Sequence, residues 1–245
     1  MYCNERLVIM DADGTTIDAF DAITETFEAH DMSIGDIVRF QKRRNIFKYL
    51  GGIKELPKNL RKQLNAEKRI AVLDTLTQVY RQSARLYEGM DELLNRLIDH
   101  PGIRVGVVTR NITLEPERTL QQLYQRNGVN VSGLDFVVHL PQKEQKVNAF
   151  KAVRESFKIN PARAYASGDE KRDYVAAIGT GMHPFMVSYG FESFERLTNK
   201  LGVPAELISR QPQDLKRRIL HALDLWQDPQ GGSDKRSAEP ARKSV

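Results

Sequence analysis

Asp11 and Asp13 stand two residues apart at the end of a short apolar run, Leu7-Val8-Ile9-Met10, and are followed by Gly14, Thr15 and Thr16. A run of this kind reads as a buried strand of a parallel sheet. Side chains alternate faces along a strand, so the two carboxylates point the same way wherever strand geometry persists. Both then sit at the carboxyl end of the strand, where open α/β sheets place their ligands. Two like charges in one crevice need a cation or a shared proton. The pair therefore suggests a metal site, an acid/base pair, or both. Three further features fall at ends of apolar runs or at starts of helical patterns. They are Thr109 after Val107-Val108, Lys146, and Gly168-Asp169-Glu170-Lys171-Arg172-Asp173. Singly, each reads as a turn, a cap or a surface charge. Together, carboxylates, hydroxyl and ammonium are the groups a phosphate-ester site needs.

The elements that must position these groups follow from periodicity. Apolar runs at 6–10, 104–109, 135–138, 163–167 and 184–188 predict strands. Helical patterns occupy 114–127, 146–158 and 172–180, and a last helix begins at Pro212, with Leu215, Ile219, Leu223 and Trp226 on one side. This alternation predicts an α/β fold, a Rossmann-like parallel sheet flanked by crossover helices. Residues 19–88 interrupt it with helical periodicity alone. There Val72, Leu76, Val79/Tyr80, Ser83 and Leu86/Tyr87 trace one face of a long amphipathic helix. Ser33-Ile34-Gly35-Asp36 has the form of a capping box, and Gly51-Gly52 and Pro57 break the pattern after it. The expected organisation is a core of 1–18 and 89–230, a small α-helical domain of 19–88 above the strand ends, and a disordered tail, 231–245.

Composition narrows the function classes. The chain has 245 residues, 40% hydrophobic and 28% charged, as in ordinary globular proteins. No apolar stretch approaches the ~20 residues that span a bilayer, and the first residues lack a secretory pattern, so no membrane partner is expected. One cysteine, Cys3, excludes an intramolecular disulfide and a multi-cysteine zinc cluster and favours a cytoplasmic setting. The net charge of +5 is carried partly by the tail and reads as solvation more than as nucleic-acid binding. Composition leaves monomer or dimer open.

The chain resembles the haloacid dehalogenase-like superfamily of hydrolases. Asp11-Ala12-Asp13-Gly14-Thr15 fits its first motif, Val107-Val108-Thr109-Arg110-Asn111 its second, and Gly168-Asp169 with Asp173 its fourth. Lys146, in Lys146-Val147-Asn148-Ala149-Phe150, fits the third, with Lys143 as competitor. The segments 176–190 and 208–215 are similar to phosphoglycolate-phosphatase-like members, and the insertion at 19–88 to their α-helical cap. The resemblance implies a Mg²⁺-dependent phosphatase acting on a small phosphorylated metabolite. Asp11 would be the nucleophile and Asp13 the general acid and base. Asp11, the main-chain carbonyl of Asp13, Asp169 and Asp173 would hold the metal, a hard all-oxygen set that suits Mg²⁺. Thr109 and Lys146 would hold the phosphoryl group, and Arg110 and Asn111 would contact substrate or begin a helix. Dehalogenating members lack the second aspartate, so Asp13 favours phosphoryl chemistry. A mutase, a phosphonate-cleaving enzyme and a non-catalytic binding protein are the alternatives. The insertion is basic, which reads either as a solvated helix face or as cations over the cleft, with Arg43 or Arg44 binding a second anionic group of the substrate. His183 reads as a loop residue and Asp18 as a cap.

Overall fold

The computed structural model describes residues 1–32 and 66–226. The capping box at 33–36, Arg43, Arg44 and the tail lie outside the described residues. Six strands, β1 (Arg6–Met10), β2 (Ile103–Thr109), β3 (Phe136–His139), β4 (Ala164–Gly168), β5 (His183–Val187) and β6 (Ile208–Ser209), form one parallel sheet in the order β3-β2-β1-β4-β5-β6. The helices are α1 (Ala19–Glu28), α2 (Ala66–Gln82), α3 (Met90–Ile98), α4 (Pro116–Arg126), α5 (Lys146–Ser156), α6 (Lys171–Gly179) and α7 (Pro212–Ala222). Among the described residues, no helix is long and apolar enough to cross a membrane.

The apolar run of β1 has the pattern of a strand covered on both faces. Val8 and Met10 pack with Leu94, Leu97 and Leu120 on one side, whereas Leu7 and Ile9 pack with Phe150 and Ala176 on the other. Each of the four is at most 1% exposed, so neither face could carry a polar residue. Central β1 is flanked by β2 and β4, whose registers bring Val107 opposite Met10 on one side and Ser167 opposite it on the other. The residues just beyond these three strand ends therefore converge on one crevice.

Two expectations fail at element ends. The long helix stops at Gln82, and Ser83 to Tyr87 leave it. Long-range bonds override helical periodicity there: Arg126 and Asn127 donate to the Ala84 carbonyl, and Leu86 bridges Ile17. The Asp18 amide also donates to Arg85 O and the Tyr87 amide to Thr16 O, tying the two connections into a pair. The last helix ends at Ala222, with Asp224 in the left-handed region at φ 57°. Trp226 thus lies past the helix, where its ring stacks on His221. Periodicity predicts no strand at 208–209. β6 is two residues long, too short for periodicity to show, and exists through its pairing with β5.

Candidate active site

The turn after β1 is built on one carbonyl. The amides of Thr15, Thr16 and Ile17 all donate to Ala12 O, at 3.2, 2.9 and 2.9 Å. The Thr16 hydroxyl adds a bond to Asp11 O at 3.0 Å and meets the Tyr124 hydroxyl at 2.7 Å. Gly14 takes φ +77°, and a Cβ there would stand 2.5 Å from Asp169 Oδ2. A Cβ on Gly190 would stand 2.2 Å from Gly14 O. Absence of both side chains lets the loops after β1, β4 and β5 close upon one another.

Asp11, Asp169 and Asp173 meet in this crevice, with carboxylate oxygens within 4.8 Å of one another. Asp11 is 6% exposed, Asp169 0% and Asp173 1%. Lys146, the first residue of α5, brings its Nζ to 2.8 Å from Asp11 Oδ1 and 2.5 Å from Asp173 Oδ1. Lys143 is exposed on the preceding loop. Asp173 also serves its own helix: in a capping box, its Oδ2 accepts the Glu170 amide at 3.1 Å. Both Asp173 oxygens thus have donors. Asp169 differs. Its Oδ2 accepts the Phe191 amide at 2.5 Å, while its Oδ1 is buried with no hydrogen-bond partner.

Counting Asp13, four carboxylates face a single ammonium. Burial pushes Asp11 up to about 8; Lys146 opposes this, and Asp173 and Asp13 add to it. Asp169 is raised well above the carboxylate range, by burial first and then by Asp11, Glu170 and Asp173. Burial disfavours the Lys146 ammonium, yet Asp11 and Asp173 outweigh it and raise the net value. A dication beside Asp11 and Asp169 would relieve this anionic excess and occupy the bare Asp169 oxygen. The donor set therefore fits a hard metal ion.

Asp13 is held separately. The Asn111 amide nitrogen donates to Oδ1 at 3.1 Å and Oδ2 at 3.0 Å, and the Tyr80 hydroxyl of α2 donates to Oδ1 at 2.7 Å. Burial raises the Asp13 pKa, while Tyr80, Asn111 and Lys146 work against the rise. The Asn111 side-chain oxygen Oδ1 accepts the Thr113 amide at 2.9 Å, so this side chain positions Asp13. Thr109 closes β2, buried at 1% exposure, with its Oγ1 accepting the Asn111 amide at 3.2 Å and its proton left to donate. Arg110 turns to the β3–α5 loop, where its guanidinium donates to Glu144 O.

Asp18 caps α1, accepting the Phe20 amide at 3.2 Å and that of Asp21 at 3.4 Å. His183 opens β5, its Nε2 3.0 Å from Ala162 O and its ring stacked on Tyr165. Sequence reasoning missed Tyr80, which sits in the apolar stripe of a helix and carries no local mark separating it from core. It also missed the Phe191 amide, a main-chain group with no signature in residue type.

Residues 8–187 match the haloacid dehalogenase-like hydrolase family. Among curated proteins, none matches the chain. Its fold is similar to that of a predicted phosphatase from Clostridium acetobutylicum, at 22% identity and a TM-score of 0.58, covering 89% of this chain and 100% of that one. A predicted phosphoglycolate phosphatase from Haemophilus somnus is similar at 17% identity and TM-score 0.61, covering 90% and 99%. CbbY from Rhodobacter sphaeroides, solved in complex with phosphate, is similar at 18% identity and TM-score 0.54, covering 77% and 88%. With a family match spanning β1 to β5 and the four motifs gathered at the carboxyl ends of the strands, the chain belongs to the haloacid dehalogenase-like hydrolases.

Proposed function

We propose that the protein is a Mg²⁺-dependent phosphatase that hydrolyses a small phosphomonoester through an aspartyl-phosphate on Asp11. The observation that carries this reading is the buried Lys146 ammonium held between Asp11 and Asp173, beside an Asp169 oxygen with no partner. Asp11 attacks phosphorus in line, the bond to the leaving oxygen breaks, and Asp13 gives that oxygen its proton. Asp13 then takes a proton from the water that attacks the aspartyl-phosphate, releasing phosphate and restoring Asp11. Thr109 donates its hydroxyl proton to a phosphoryl oxygen, and Lys146 lowers the repulsion between nucleophile and dianion. Asp11, the Asp13 carbonyl and Asp169 would hold Mg²⁺, with Asp173 acting directly or through water. When bound, the ion supplies neutralisation of the charge on the transferring group.

Residues 19–88 act as the cap that selects the leaving group, with 1–18 and 89–230 as the catalytic core. Tyr80 supports this division, because a side chain of the insertion reaches Asp13. One cysteine and no membrane-crossing helix among the described residues accord with a cytoplasmic enzyme. The test is turnover of p-nitrophenyl phosphate with Mg²⁺ and with EDTA, for the parent and Asp11→Asn. Turnover should require Mg²⁺ and fall to background in the variant. A full rate in Asp11→Asn, or no Mg²⁺-dependent turnover of any phosphate ester, would overturn the proposal. Product analysis with a sugar phosphate separates hydrolysis from return of the phosphoryl group to the sugar.

A further inference from the structure

Next to the catalytic crevice lies a groove of about 410 Å³ that the reaction described above does not use. It runs between the residue after Thr109, the β3–α5 loop and the first turns of α5 and α6. Arg110, Lys143, Lys171 and Arg172 bring cations to its walls, and Glu144 brings the one acidic side chain. Lys146 also lines it, but that charge is met by Asp11 and Asp173. Among the described residues, none of the other four cations is in an ion pair. The Arg110 guanidinium donates to a main-chain carbonyl, and its Nε is buried without a hydrogen-bond partner. Four cations against one carboxylate leave the groove with an excess of positive charge, and such a groove concentrates anions. The arrangement therefore favours an anion.

We infer that this groove is a second anion subsite, formed by the catalytic core, which takes a second phosphate group of the substrate. The inference rests on the phosphatase reading, because it concerns what else the substrate carries. Position, charge and size each support it. The groove shares a wall with the nucleophile's site: Arg110 follows Thr109 in the chain, and Lys146 touches both spaces. Its excess of cations over acids suits a phosphate of charge about −2 better than a carboxylate. Its volume lies within the ~300–1,000 Å³ of small-molecule pockets, so a sugar-sized group enters with the phosphate. Val175, 50% exposed on α6, gives that group an apolar wall. The substrate class is a small bisphosphorylated metabolite, with one phosphate at Asp11 and the other among the groove cations.

Competition against p-nitrophenyl phosphate, read by nitrophenolate release, tests this. The probes are fructose 1,6-bisphosphate and fructose 6-phosphate, with the parent and the Lys143→Ser/Lys171→Ser double variant. In the parent, the bisphosphate should inhibit at least tenfold more strongly than the monophosphate. That ratio should shrink with added salt and collapse toward one in the double variant. A melting curve confirms that the variant is folded. A ratio near one in the parent, or one unchanged in the folded variant, overturns the groove proposal while leaving the phosphatase reading in place. If the parent turns over no phosphate ester with Mg²⁺, the phosphatase reading fails, and the groove proposal fails with it.

Discussion

Tyr80→Phe removes one oxygen atom and isolates one interaction. Tyr80 is fully buried, and its hydroxyl makes one 2.7 Å hydrogen bond, to Asp13 Oδ1. Hydrogen bonds to charged groups contribute ~1.5–3 kcal/mol. Asn111 still donates to both Asp13 oxygens in the variant, which places the loss at the lower end, about 1.5 kcal/mol. If the bond orients Asp13 toward the leaving oxygen, kcat for p-nitrophenyl phosphate falls roughly tenfold. The pH dependence gives an independent sign. Burial raises the Asp13 pKa and the Tyr80 bond opposes that rise, so losing the bond moves the pKa further up. Protonating the leaving oxygen needs neutral Asp13, and activity is lost as pH rises through its pKa. The alkaline limb of kcat/KM should therefore move to higher pH in Tyr80→Phe. The assay is steady-state kinetics across pH at saturating Mg²⁺, with a melting curve as control. A folded variant with kcat within twofold of the parent and an unmoved limb would refute the reasoning and make Tyr80 a packing residue only.

Lys146→Met should abolish turnover and also destabilise the fold. Removing an ammonium buried between two carboxylates costs ~3–5 kcal/mol, and at roughly 2–4 °C per kcal/mol thermal denaturation should show a Tm lower by about 6–20 °C. Burial raises the Asp11 pKa to about 8 and Lys146 opposes that rise, so in the variant Asp11 keeps its proton to higher pH and the deficit grows as pH rises through about 8. A Tm within 2–3 °C of the parent at neutral pH would contradict the buried pairing. Gly14→Ala should cost about 1–3 kcal/mol, because the residue is left-handed and the new methyl meets Asp169 Oδ2. Its melting curve should show the loss, and its Mg²⁺-dependent turnover should fall because Asp169 must move.

The sequence by itself determined five of the six strands and placed the acids at their ends. β1 was legible because a strand covered on both faces has to be apolar throughout, and the run Leu7–Met10 leaves no polar alternative. Asp11, Asp13, Asp169 and Asp173 were legible because each sits where an apolar run ends or a helix begins, a boundary that local chemistry marks. Those boundary marks also led to the metal reading, since carboxylates collected at neighbouring strand ends need a cation.

Tertiary structure decided which groups meet. It chose Lys146 over Lys143, three residues apart in the chain, because only the first residue of α5 points into the crevice between Asp11 and Asp173. It distinguished Asp169, with one bare oxygen, from Asp173, whose oxygens belong to Lys146 and to its own helix cap. It brought Tyr80 from the insertion and Asn111 from the β2 loop to the same carboxylate. It also ended α2 at Gln82 through bonds from Arg126 and Asn127 that no local pattern announces. Local periodicity reports which face of an element is buried. Which side chain that buried face touches depends on chain segments distant in sequence, and only the packed fold fixes it.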